Sequence, residues 1–351
     1  KEYNISFDVF AFCPFRDSRM LKLVKMVLGA RVTRDLENQG SDEVSIGDIT
    51  YRYIWEKRDL RRFIMMRLVK RDAINQALYH SRRILKTIRS MPINYDIIHA
   101  HGMYLPPAGI GAATLGGSLN IPYVITLHGS DINLNMGGRE CWYNSVMNGA
   151  AACIFVSRAL LRRAKQFGYS GNNAFIIPNG YDPSIFYPMD KNQVRKELGI
   201  HRAGFKYIGF VGSLSFIKRA DKLTKIFNEI LKYEKKVKFI LVGDGPLREK
   251  ILKECRNIDL VITGYLPQKY VAKWMNAFDI MVLPSRNEGW PCVVLESHAC
   301  GTPVIGSNNG GIEEAIGDKK FVVQEGKDFE LRFATKIIEL INNINSEEIK
   351  E

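Results

Sequence analysis

Two glutamates bracket an apolar run in NEGWPCVVLESHACGTPVIGSNNGG (287–311), Glu288 before it and Glu296 at its end. A carboxylate beside buried apolar residues must reach water or meet a partner. The run IMVLP (280–284) has the pattern of a strand, Pro291 stands where a helix can begin, and Gly301 stands where it stops. Glu288 then lies in the loop beyond the carboxyl end of a parallel strand, and Glu296 roughly a turn and a half into the next helix. Ligands of open α/β sheets bind along that edge. The amides of Gly289 and Trp290, with the positive end of the helix, would attract an anion such as a diphosphate. Carboxylates repel phosphates but accept hydrogen bonds from sugar hydroxyls. The spacing therefore describes a ligand with a phosphate centre and a hydroxyl-bearing group at each end, as in a nucleotide sugar. A second reading stays open, in which Glu288 is a solvated loop acid and Glu296 an acid favoured by the helix dipole.

Short β-branched runs alternating with helix-length segments must position these acids. The strand candidates are NISFDVF, DIIHA (96–100), YVITL (123–127), CIFV (153–156) and AFIIP (174–178) in the first half of the chain. In the second half they are YIGFV (207–211), KFILV (238–242), LVIT (260–263), IMVLP (280–284), PVIG (303–306) and FVV (321–323). Continuous apolar runs bounded by Gly, Pro or Asp predict parallel sheets covered on both faces, and two such sheets predict two Rossmann-like domains. The segment PNGYDPSIFYP (178–188) reads as the crossing between them, and 351 residues suit two domains of average size.

Hydrophobic residues make up 46% of the chain and charged residues 25%, a globular composition, and no apolar run reaches the ~18 residues of a spanning helix. The six cysteines form no CxxC pair, which fits reduced thiols in a cytosol rather than a disulfide framework or a zinc site. The net charge of +13 is concentrated in residues 1–180, which carry 24 Lys and Arg against 14 Asp and Glu. Such an excess implies an anionic partner, either a membrane surface, nucleic acid or a phosphorylated substrate. No aromatic stacking motif, helix-turn-helix or zinc module accompanies the charge, so no nucleic-acid partner is expected. The segment 52–89 carries twelve Lys and Arg against three acids. It is expected to dock on an anionic membrane, with Arg61, Arg62, Arg67, Lys70 and Arg71 at phosphate level and Trp55 in the headgroup region. The alternative is an ordinary packed helix with a solvated basic face.

The run SRNEGWPCVVLESHACGTPVI resembles the E-x7-E signature of family 4 glycosyltransferases with the GT-B fold. Further segments match that family in order: DIIHAHG (96–102), TLHGSD (126–131), IFVSRALLRRA (154–164), IIPNGYDPSIFYP (176–188), FVGSLSFIK (210–218), LVGDGPLREKI (241–251), ITGYLP (262–267) and NNGGIEEAI (308–316). The resemblance covers roughly residues 94–345. It implies an α/β chain of two Rossmann-like domains facing each other across a cleft. Residues 1–182 would bind the acceptor and residues 183–351 the nucleotide-sugar donor. Against the family pattern, NISFDVFAF corresponds to the second strand, and the chain ends before the closing helix. Either the chain is a piece of a longer protein or the enzyme is unusually short.

Residue by residue, the resemblance assigns Glu288 to hydroxyls of the transferred sugar and Glu296 to the ribose. The backbone at Gly289, Trp290 and Pro291 lies beside the sugar and diphosphate. Lys218 matches the diphosphate lysine, which neutralises charge growing on the leaving group. His128 matches a histidine that reaches the donor sugar. Gly310 and Gly311 match a loop near that sugar, and Gly264, Tyr265 and Leu266 a turn beside the nucleobase. After Gly212 the family places an arginine where this chain has Ser213. Arg219 and Arg286 are the candidates for the missing guanidinium; otherwise Lys218, Ser213 and backbone amides hold the second phosphate. There is no D-x-D motif, so no metal and no cofactor is expected.

The implied function is retaining transfer of a sugar from a nucleotide sugar, expected to be a UDP-sugar, to a glycan or lipid-linked acceptor in envelope or exopolysaccharide synthesis. The expected location is cytoplasmic, peripheral on the inner face of the plasma membrane. Two other readings share the fold: a non-catalytic partner subunit of a glycosyltransferase complex, and a sugar epimerase.

Overall fold

The computed structural model describes residues 7–17, 43–46, 49–58, 73–90, 95–103 and 108–348. Two compact units form, one of residues 1–125 with 145–152 and one of residues 126–144 with 153–351. The strands are β1 (Phe7–Asp17), β2 (Glu43–Ile46), β3 (Ile49–Arg58), β4 (Ile98–His101), β5 (Tyr123–Leu127), β6 (Ala152–Phe155) and β7 (Ala174–Ile176). They continue as β8 (Lys206–Val211), β9 (Val237–Val242), β10 (Leu260–Gly264), β11 (Ile280–Leu283), β12 (Val304–Ser307) and β13 (Val322–Val323). They build a three-stranded sheet β1-β3-β2, a four-stranded sheet β4-β5-β6-β7 and a six-stranded sheet β10-β9-β8-β11-β12-β13. Every pair in the six-stranded sheet is parallel. The chain has the GT-B fold expected from its sequence.

The six-stranded sheet follows from its side chains. All six residues of β9 are buried, as a central strand covered on both faces requires. One face packs Phe210, Phe227, Phe239 and Phe333, with the Phe227 and Phe239 rings stacked at 4.1 Å. The helix Leu223–Ile230 meets this face with Leu223, Ile226, Phe227 and Ile230, the spacing of an apolar helix stripe. The other face packs Phe186, Tyr207, Phe278, Met281 and Val294.

Strand order decides where a site can form. From β8 the chain runs outward to β9 and β10 on one side, and then returns to place β11, β12 and β13 on the other. The order therefore reverses between β8 and β11, which are direct neighbours. At such a switch point the two following loops diverge and leave a crevice beyond the carboxyl ends of the strands. The loops after β8 and β11 are those that carry Lys218 and Glu288.

Two elements differ from the sequence expectation. Strands β2 and β3, an antiparallel pair, were not anticipated. Residues 52–58 of the expected membrane-docking segment lie in β3, where Trp55 pairs with Cys13 of β1. ITYRYIW is rich in β-branched and aromatic residues, so the strand preference outweighs the helical reading there. The same segment is helical over Ala73–Arg89. Arg61, Arg62, Arg67, Lys70 and Arg71 lie outside the described residues. No described helix is long and apolar enough to cross a membrane. Cys141, Cys153, Cys255, Cys292 and Cys300 form no disulfide.

Candidate functional site

The helix after β11 spans Cys292–Ala299, with Pro291 as its leading residue. Its start sets Glu288 in the loop and Glu296 on the helix, as the spacing predicts. Lys218 Nζ donates to Glu288 Oε1 at 2.6 Å. The pair is mostly covered, with 25% of the lysine side chain and 11% of the glutamate side chain exposed. Glu296 is partly buried, and its carboxylate has no hydrogen-bond or ion-pair partner among the described residues. Burial pushes its carboxyl above the ordinary value of 4.5.

That shift has a stability consequence. A raised carboxyl pKa means that the folded chain holds the proton more tightly than the unfolded one. Stability is therefore lost as pH rises through the window above 4.5. Glu296→Gln is expected to raise Tm at pH 7, with the gain shrinking as pH is lowered towards 4.5. Thermal unfolding across that range checks it, and a pH-independent difference would contradict the assignment.

Glycines bring the surrounding loops into backbone contact. A Cβ on Gly289 would lie 1.9 Å from the His128 carbonyl oxygen and 2.8 Å from Gly129 Cα. A Cβ on Gly310 would lie 2.0 Å from the Glu288 carbonyl oxygen, and one on Gly311 would lie 2.3 Å from that of Gly289. The Gly311 amide donates to the Glu288 carbonyl at 3.0 Å. Three loops, at 128–129, 288–289 and 310–311, are thus layered with no room for side chains. His128, Glu288, Gly289, Gly310 and Gly311 belong to one cluster.

Asp131 shapes the first of these loops. Its fully buried carboxylate accepts from the amides of His128 at 3.0 Å, Gly129 at 2.8 Å and Ile132 at 3.0 Å. It opens a single π-helical turn, Asp131–Asn135. Asn133 Nδ2 donates to Asn287 Oδ1 at 3.0 Å, a second tie to the Glu288 loop. Glu314 accepts from the amides of Arg158 at 2.8 Å and Ala159 at 2.6 Å, at the start of the helix Arg158–Gln166. Sequence reasoning did not single out Asp131, Asn133 or Asn287. The HGSD motif held the only signal, an acid two residues after a glycine.

Both arginine candidates already have carboxylate partners. Arg286 makes a bidentate contact to Asp221, with Nη1 2.6 Å from Oδ1 and Nη2 2.9 Å from Oδ2. Its Nη1 also donates to the Phe216 carbonyl at 2.5 Å, and its guanidinium lies 3.8 Å from the centre of the Phe216 ring. Arg219 is buried, paired with Glu325 and stacked on Phe329 at 4.0 Å. Its φ is +55°, the left-handed region that favours glycine. The ion pair and the ring stack offset the ~1–2 kcal/mol cost of that conformation.

The remaining positions fall on the same edge of the sheet. Gly212, with φ +147°, follows β8 directly, and a Cβ on Gly243 would lie 2.0 Å from its carbonyl oxygen. Ser213 is exposed. Gly264 ends β10 with φ +76°, followed by the exposed Tyr265 and the partly buried Leu266. Trp290 Nε1 donates to the Asn179 carbonyl at 2.9 Å, while Pro291 is buried. A polar pocket of about 380 Å³ beside Glu288 is lined by Asn133, Arg162, Arg163, Arg286, Asn287 and Asn309 among others.

Comparison with known proteins bears on the family and the fold. The family model described as Glycosyl transferases group 1 matches residues 205–343, and that described as Glycosyltransferase Family 4 matches residues 31–185. The chain is 31% identical over 250 residues to TuaC of Bacillus subtilis (strain 168), a glycosyltransferase named for teichuronic acid biosynthesis, with 70% of this chain and 61% of TuaC covered. It is 30% identical over 242 residues to the N-acetyl-alpha-D-glucosaminyl L-malate synthase of Bacillus anthracis, with 66% and 62% covered. The chain thus spans about three fifths of the length of these curated relatives. Anabaena HepE, solved in complex with UDP-glucose, superposes with a TM-score of 0.64 at 19% identity over 97% of this chain and 90% of that one. At that identity the likeness speaks for the fold. With both family models matched and the E-x7-E acids, the lysine and the glycine loops in place, the chain belongs to family 4 of the glycosyltransferases.

Proposed function

We propose that this chain transfers a sugar from a nucleotide sugar to a glycan or lipid-linked acceptor, with retention of anomeric configuration. The observation that carries the reading is the meeting of Lys218 and Glu288 at the switch point between β8 and β11, with Glu296 on the helix that follows. A lysine there suits a diphosphate, and carboxylates on either side suit sugar and ribose hydroxyls. The UDP-glucose complex of HepE supports a UDP-sugar as donor, and the name of TuaC supports an envelope polysaccharide as product. Because Arg219 and Arg286 have carboxylate partners, Lys218 and backbone amides are the groups that meet the phosphates in this proposal. The asparagines and arginines of the 380 Å³ pocket suit a polar acceptor.

In the proposed reaction the bond between the anomeric carbon and the phosphate oxygen breaks, and its electron pair stays with the phosphate. The acceptor oxygen attacks the same face and gives its proton to the departing phosphate, so no protein base is assigned. The intact Lys218 and Glu288 favour catalysis over a non-catalytic partner role. The donor-binding domain is proposed to begin near residue 183. The proposed working location is the cytoplasmic membrane face, reached through the basic residues 61–89 that follow β3. A transfer assay with a panel of UDP-, GDP-, ADP- and dTDP-sugars, run with EDTA and with anionic or neutral vesicles, tests the reading. Turnover that survives EDTA and rises on anionic vesicles is expected. No turnover with any nucleotide sugar would remove the transferase reading.

A further inference from the structure

The site holds one ion pair whose two members are needed by different parts of the same ligand. Lys218, the group proposed for the diphosphate, and Glu288, the group proposed for the sugar, bind each other at 2.6 Å. Neither has another ion-pair partner among the described residues. The neighbouring guanidinium groups cannot take over from Lys218 without giving up Asp221 or Glu325. The carboxylate is the more deeply covered of the two, at 11% exposure. A carboxylate so placed loses much when its donor is withdrawn, because little water can replace it.

We propose that the Lys218–Glu288 pair makes the site discriminate between an intact nucleotide sugar and the bare nucleoside diphosphate. The inference rests on the donor-site reading above. A diphosphate that draws Nζ towards itself weakens the pair and leaves Glu288 beside new negative charge. A nucleotide sugar compensates by bringing hydroxyl donors to the same carboxylate. A nucleoside diphosphate has none to bring at that position, so it binds against the full cost of the broken pair. After transfer, the hydroxyls leave with the sugar, and re-forming the pair favours release of the nucleoside diphosphate. Glu288 is thus a specificity-determining residue as well as a sugar ligand, and it acts on the nucleotide through Lys218.

Calorimetric titration of UDP and UDP-glucose into the wild-type chain, Glu288→Gln, Lys218→Met and the double variant tests this, with thermal unfolding as a check that each is folded. Glu288→Gln is expected to bind UDP roughly tenfold more tightly than wild type, the size of effect typical of one hydrogen-bonded charged group. Its affinity for UDP-glucose should stay level or fall, so the preference for the sugar-bearing ligand collapses. In the Lys218→Met background, Glu288→Gln should change UDP affinity far less, because no pair remains to be broken. An equal gain in both backgrounds would mean simple repulsion between carboxylate and phosphate, and would overturn the proposal. So would an unchanged or weakened affinity for UDP in Glu288→Gln. If the wild-type chain binds no nucleoside diphosphate at all, with GDP, ADP and dTDP included, the donor-site reading falls and this inference with it. Binding with an unchanged preference sinks the inference alone.

Discussion

Replacing Lys218 with alanine is expected to lower the turnover rate of sugar transfer on the order of 10²–10³-fold, the usual result of removing a donor aimed at developing charge. In the proposed reaction, charge grows on the diphosphate as the glycosidic bond breaks, and Lys218 is the cation whose partner belongs to the proposed donor site. Arg286 is held by Asp221 and Arg219 by Glu325, so neither guanidinium can substitute without dismantling the loop that it braces. The variant is expected to fold but with a lowered Tm, because a carboxylate only 11% exposed is left without its donor. Turnover measured with saturating UDP-sugar, set beside Tm, separates the two effects. A fall in turnover of less than tenfold, or one matched by collapse of the fold, would contradict the role given to Lys218.

Gly289→Ala should be nearly as severe for a different reason. The new Cβ would stand 1.9 Å from the His128 carbonyl oxygen and 2.8 Å from Gly129 Cα, and both obstacles are backbone. No rotamer change relieves such a clash, so the 128–129 and 288–289 loops must part by about 1 Å. Overpacking of this kind costs roughly 1–3 kcal/mol of stability. A displacement of that size at reacting groups costs about 10²-fold in rate. Gly117→Ala is the matching control, because a Cβ there meets nothing within 4 Å. In its helix the change should be neutral or stabilising by up to about 1 kcal/mol. Turnover and Tm of both variants check the argument. A fully active Gly289→Ala chain would mean that the loop layering has no part in the chemistry.

The placement of the two proposed site acids was legible in the sequence because it is local. Pro291 and Gly301 mark the ends of one helix, and that helix alone separates Glu288 from Glu296. The second-half strands were legible for the same reason, since a continuous run such as KFILV has only one buried solution. Strand β3 was not, because ITYRYIW runs directly into basic residues that fit a helical face equally well.

What the sequence could not decide was which groups meet. Arg219 and Arg286 read as free cations in one dimension, and only the fold reveals their carboxylates, Glu325 at a separation of 106 residues and Asp221 at 65. Lys218 and Glu288 lie 70 residues apart, and they meet because the strand order reverses between β8 and β11. The close approach of Gly289 to His128 likewise joins loops that lie far apart along the chain. Helix ends, turns and buried strands are set by side chains within a few positions of one another, so a linear reading reaches them. Pairing across a switch point depends on the order in which strands enter the sheet, which no short stretch of side chains encodes by itself.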